Sequence, residues 1–120
     1  MPMIELRKSP RTQVIWRAAV KLGDGSLVAA KIVNLSSGGI LMHCPHSLEV
    51  NHEYRIMMEV PGIADPVSQH FKVACKALVQ HCILAEDDYR IGVKFNELSD
   101  LHQNLIDAWI SRAGKADHAA

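Results

Sequence analysis

The sequence predicts a mainly β domain of about six antiparallel strands followed by one helix. Three observations predict it. Six runs read as strands, most of them alternating between apolar and polar residues with a period of two. Glycine, proline, asparagine and aspartate punctuate the gaps between them. After Leu98 the apolar spacing changes from two to three and four, which is helical. A chain of 120 residues with 48% hydrophobic content has material for one core and little for a second domain.

Taken in order, Val14, Trp16, Ala18 and Val20 share one parity while Gln13, Arg17 and Lys21 take the other, so a strand begins just after Arg11. Gly23-Asp24-Gly25-Ser26 reverses the chain, and Leu27 to Leu35 returns as the second arm of a hairpin. Asn34 to Gly39 reads as a polar, glycine-ended loop between strands. Ile40 to Cys44 is a short apolar strand stopped by Pro45. Tyr54, Ile56, Met58 and Val60 alternate with Arg55 and Glu59, and Pro61-Gly62 ends that run. Phe71, Val73, Cys75, Ala77 and Val79 form the longest alternating run, which predicts a long, bent strand. Glu86-Asp87-Asp88 marks a turn before Ile91, Val93 and Phe95. Leu98, Leu101, Leu105 and Trp109 then form a helical stripe, with Ser99 as N-cap and Gly114 just past the end. That stripe needs an apolar partner, and the mouth or side of a small barrel supplies one.

Composition excludes several functions. Thirteen Lys and Arg balance thirteen Asp and Glu, so the chain as a whole is no polymer-scale polyanion binder and no nucleic acid polymer is expected. No run approaches a membrane span and the start lacks a secretory apolar segment, which predicts a soluble, unexported, cytoplasmic protein with no membrane partner. Three cysteines, Cys44, Cys75 and Cys82, are an odd set that fits free thiols in a reducing compartment. His43-Cys44-Pro45-His46 and His81-Cys82 contain metal-ligand residue types, but adjacent strand residues point to opposite faces and no C-x-x-C pair exists. They read as core thiols and surface imidazoles, so neither metal nor cofactor is expected. Asp87, Asp88, His81 and Ser99 are explained by a turn and a helix cap, leaving no catalytic set.

Charge is nevertheless uneven. Met1 to Lys21 carries a net charge of +4 through Arg7, Lys8, Arg11, Arg17 and Lys21 against Glu5, making this segment an anion-seeking arm. If the hairpin pivots at Asp24, Arg11 comes opposite Ser37. The arm then meets the Asn34 to Gly39 segment, with its amide, hydroxyls and backbone N–H groups. Arginine suits such a place because its planar fork donates two parallel bonds to phosphate or to guanine, the latter contributing about 1–3 kcal/mol of discrimination. Gly38 and Gly39 are expected to allow close approach that a Cβ would block.

Arg7-Lys8-Ser9-Pro10-Arg11 fits an R-x-x-x-R element, and Asn34-Leu35-Ser36-Ser37-Gly38-Gly39 fits a (D/N)-x-S-x-x-G element. Their order, the hairpin between them, and Ile91-Gly92-Val93-Lys94-Phe95 followed by a helix make the chain resemble a stand-alone PilZ domain from about Glu5 to about Arg112. The resemblance implies a six-stranded antiparallel PilZ-type barrel over 12–113, with a C-terminal helix, a flexible basic arm over 1–11 and a frayed tail over 114–120. It also implies a bacterial receptor for cyclic di-GMP with no catalytic chemistry. Carried over to this sequence, the ligand-binding residues are Arg7, Lys8, Arg11, Asn34, Ser36, Gly38 and Gly39. Lys8 departs from the family's frequent second arginine, so 1:1 and 2:1 ligand stoichiometries both stay open. A further contact from the strand before the last turn points to Gln80 or His81. Output is then expected to pass to a downstream protein effector from a monomer or homodimer, through ordering of the arm on the dianionic ligand. The rival reading is a PilZ-fold adaptor that binds protein without nucleotide, through Met57, Met58 or the helix surface.

Overall fold

The computed structural model describes residues 11–118, with side chains described from 11 to 112. Arg7, Lys8 and the remainder of the expected basic arm up to residue 10 lie outside the described residues. The elements are β1 (Thr12–Lys21), β2 (Leu27–Ser36), β3 (Gly39–Cys44), β4 (Glu53–Pro61), β5 (His70–Ala85), β6 (Asp88–Glu97) and α1 (Asp100–His118). The six strands close into an antiparallel barrel in the order β1-β2-β3-β6-β5-β4, with β4 returning to β1.

The barrel closes because each strand turns its apolar parity inward. Trp16, Val20, Ile32, Met42, Ile56, Met58, Val73, Val79 and Ile91 fill the interior, and Leu48 in the β3–β4 connection is buried against them. Met58 is therefore core, which removes it from any docking face; its neighbour Met57 is partly exposed. Phe71, expected inward, is half exposed at the start of β5. Cys44 and Cys75 are buried free thiols, and burial pushes the Cys75 thiol up to about 11, which keeps it protonated and apolar in the core.

The β1–β2 hairpin pivots at Asp24 as its sequence predicts. Asp24 accepts from the Ser26 amide at 2.9 Å and from its hydroxyl at 2.6 Å, which lowers the aspartate pKa. Gly25 beside it takes φ +89°. Pairs Val20–Val28, Ala18–Ala30 and Trp16–Ile32 are symmetric about that turn. The ladder then slips between Gln13 and Trp16, so that Thr12 pairs with Leu35 instead of Ser36. This bulge brings Arg11 level with Ser36, not Ser37 as simple hairpin counting gives.

A second bulge, between Ile32 and Asn34 where β2 meets β3, has a larger effect. Ile32 is buried, but the next fully buried residue is Leu35 rather than Asn34. One extra residue flips the parity of the strand end, so Leu35 enters the core and Asn34 and Ser36 face outward. The segment expected to be a loop is accordingly mostly strand: Asn34 to Ser36 complete β2, Gly39 opens β3, and only Ser37-Gly38 turns.

The helix begins as expected, with the Ser99 hydroxyl accepting from the His102 amide at 3.2 Å. Its buried face is Leu105, Ile106, Trp109 and Ile110; Leu101, expected in this stripe, is 75% exposed. Nor does Gly114 end the helix, which continues to His118 through residues expected to fray. Gly costs only about 1 kcal/mol inside a helix, and flanking Ala113, Lys115 and Ala116 are good helix formers. Trp109 meets Trp16 edge-on, with centroids 5.8 Å apart at 71°, and its indole N–H donates to the Pro61 carbonyl at 2.8 Å. The Arg112 guanidinium donates to the Ile63 carbonyl. These contacts fix α1 against the barrel. No described helix is long and apolar enough to cross a membrane.

Candidate functional site

The site is built on the outer wall where the end of β2, β3, β6 and the middle of β5 lie side by side. Register places Asn34, Leu41, Gly92 and His81 in one row across these four strands. Ser36, Gly39 and Lys94 form the neighbouring row. Between and around them lies a cleft of about 620 Å³. Arg11, Asn34, Ser36, Gly38 and Gly39 line one side, so every expected site residue among the described ones reaches the same cleft. Gln80, His81 and Lys94 line the other.

The trough exists because two positions in these rows lack side chains. A Cβ on Gly39 would sit 2.0 Å from the Val93 carbonyl oxygen, and one on Gly92 would meet the His81 ring at 2.2 to 2.8 Å. Gly39 is thus demanded by the β3–β6 contact, whereas a Cβ on Gly38 would meet nothing within 4 Å. Within the chain itself, then, an added Cβ clashes at Gly39 and not at Gly38.

The Ser37-Gly38 turn is fastened from three directions. The Ser36 hydroxyl donates to the Gly39 carbonyl at 3.2 Å, the Phe95 amide donates to the Gly38 carbonyl at 2.9 Å, and the Gln103 side-chain amide donates to the Ser37 carbonyl at 3.0 Å. Gln103 is itself steadied on Asp107 at 3.0 Å. Engaging the carbonyls in this way keeps the negative ends of these peptide dipoles occupied by protein donors. The cleft lining carries Arg11 and Lys94, and no aspartate or glutamate. A planar guanidinium, an ammonium, an imidazole and two amide side chains around one concave surface suit an anionic ligand with hydrogen-bonding edges. No group of three or more metal-ligating side chains comes together among the described residues.

Lys94 is the residue that reading the sequence missed. Its outward parity in the last strand is visible, but its place beside Gly39 depends on β3 pairing with β6. Nothing local in the sequence announces that pairing. His81 and Gln80 reach the cleft because β5 bulges between Val79 and His81.

The family model of the PilZ domain matches residues 5–112. Comparison with curated proteins gives no match. Among solved structures, the chain is similar to the inhibitor of motility MotI/DgrA of Bacillus subtilis, at TM-score 0.78 and 15% identity over 91% of this chain and 51% of that one. It is also similar to the PilZ domain of YcgR from Escherichia coli with c-di-GMP, at TM-score 0.67 and 16% identity over 96% of both chains. A third similar structure is the K. pneumonia MrkH–c-di-GMP complex, at TM-score 0.71 and 14% identity over 98% of this chain and 57% of that one. The chain spans about half the length of MotI/DgrA. With a closed six-stranded barrel, a helix packed on it and a family match running from residue 5 to residue 112, the chain belongs to the PilZ domain family.

Proposed function

We propose that this protein is a receptor for cyclic di-GMP, binding it in the cleft between the β2–β3 turn and β6. The observation that carries the reading is the convergence of Arg11 with Asn34, Ser36, Gly38 and Gly39 on one concave surface that lacks carboxylates. The c-di-GMP complexes of two similar PilZ structures support it. In this reading Arg11 grips phosphate or a guanine edge, Asn34 reads a base or sugar edge, and Gly39 keeps the floor low. Ser36 holds the turn closed while its oxygen retains capacity to accept from ligand. Lys94 and His81 supply the opposite wall. Arg7 and Lys8 complete the grip from the basic arm of residues 1–11, and the ordering of that arm carries the signal to a downstream protein effector in the cytoplasm. No catalytic step is assigned.

Titration calorimetry with cyclic di-GMP, using GTP and cyclic di-AMP as controls, tests binding. The wild type is expected to bind and Arg11→Ala to bind roughly tenfold more weakly or worse, as for loss of a charge-assisted fork. Absence of heat with the folded wild type would favour the nucleotide-free adaptor instead. Arm ordering has its own measurement. Amide exchange over residues 1–12 is expected to slow on ligand addition, and equal exchange in both states rejects the arm as transmitter.

A further inference from the structure

The half of the barrel formed by β1, β4 and β5 carries a second concavity, a groove of about 750 Å³. Its floor is a row in register, Ala19, Met57 and Ala74. Two residues along each strand, Lys21, Arg55 and Lys76 form a parallel row of three cations on adjacent strands. Like charges set directly opposite one another on paired strands are unfavourable. Glu97 relieves Lys76 at 3.4 Å; Lys21 and Arg55 have no such ion pair among the described residues. Leu27, 68% exposed, and Met57, 42% exposed, add apolar surface to the same groove. The complementary occupant is an apolar ridge flanked by carboxylates.

The chain presents such a ridge itself. Asp100, Leu101, Asn104, Asp107 and Ala108 are all exposed and, by their spacing, share one outward face of α1. Among the residues whose side chains are described, this face has two carboxylates and one large apolar side chain, Leu101, which makes no use of the barrel it was expected to cover; the nearby Arg112 is committed to the Ile63 carbonyl. Leu98 and Ser99, immediately before the helix, form an edge of the groove. Groove and helix face therefore belong to adjoining parts of one surface, as a self-complementary two-fold contact requires.

We propose that the groove receives the outward face of α1 from a second copy of this chain. Leu101 of each copy rests on Met57 and Leu27 of the other, and Asp100 and Asp107 answer Arg55 and Lys21. The contact is made twice about the two-fold axis. A groove rimmed by cations excludes the same groove of another copy, so charge selects helix against groove.

Sedimentation of the full chain over a wide concentration series tests this, independently of any nucleotide. The wild type is expected to associate to twice its 13.3 kDa mass. Arg55→Glu and Leu101→Asp are each expected to weaken association roughly tenfold or more, since the first sets like charges together and the second removes the apolar anchor. Combining Arg55→Glu with Asp100→Arg in one chain is expected to restore the dimer, a rescue that misfolding would not produce; thermal denaturation verifies each fold. A wild type that stays at monomer mass throughout overturns the proposal. So does a dimer indifferent to both single substitutions, or a monomer that binds acidic peptides or anionic vesicles through Arg55.

Discussion

Gly39→Ala is expected to destabilise the barrel by about 1–3 kcal/mol or more, the range for forcing volume into a packed site, and to remove ligand binding with it. The added methyl would stand 2.0 Å from the Val93 carbonyl oxygen and 3.1 Å from its carbon. Both sides of this contact are backbone, so no side-chain rotation relieves it. Either the β3–β6 ladder parts or the Ser37-Gly38 turn lifts, and the second movement breaks the bond from the Phe95 amide to the Gly38 carbonyl. Gly38→Ala is the matched control. Its methyl would meet nothing within 4 Å and its φ is not positive, so stability should be unchanged or raised by up to about 1 kcal/mol. Urea denaturation of the two variants beside the wild type measures the difference; equal midpoints for Gly39→Ala and wild type would be evidence against the close β3–β6 approach.

Trp16→Ala carries the largest expected loss, about 3–5 kcal/mol for deleting a buried indole. Trp16 is 5% exposed and lies between the barrel core and Trp109, whose edge it meets. The substitution opens a cavity beneath α1 and forfeits an aromatic contact of about 0.5–1.5 kcal/mol. The effect should extend to the cleft, because α1 also carries Gln103, which holds the Ser37 carbonyl of the turn. Trp16→Phe retains a ring and should recover most of the loss. Denaturation midpoints together with calorimetry on the folded fraction check both parts: reduced stability with full-strength cyclic di-GMP binding would uncouple the helix from the turn.

The strands, the Asp24 pivot and the Ser99 cap are legible in the sequence because each is a local effect. Alternation in β4 and β6, the Asp24–Ser26 turn and the Ser99 hydroxyl all act within a few residues of where they are read. The two motif segments were also legible, and hairpin counting from Asp24 brings their ends together with an error of one residue. That error is the bulge between Gln13 and Trp16, which contains no glycine or proline to betray it. Lys94 stayed hidden for a different reason: its neighbours come from strands far apart in sequence, and only closure of the barrel brings them together. Leu101 fits the helical spacing but faces away from the barrel, since apolar periodicity identifies a helix without fixing which way its marginal residues turn.

The extra residue in β2 near Val33 is a length that alternation alone does not require. Losing its codon would leave the reading frame intact and set Leu35 two residues after Ile32, so plain alternation would still turn Leu35 into the core and Asn34 and Ser36 toward water. What would go is the local bend and added twist that a bulge gives the strand beside the cleft. Substitutions along this stretch can be judged one side chain at a time; a change in its length has to be judged against the strands on either side.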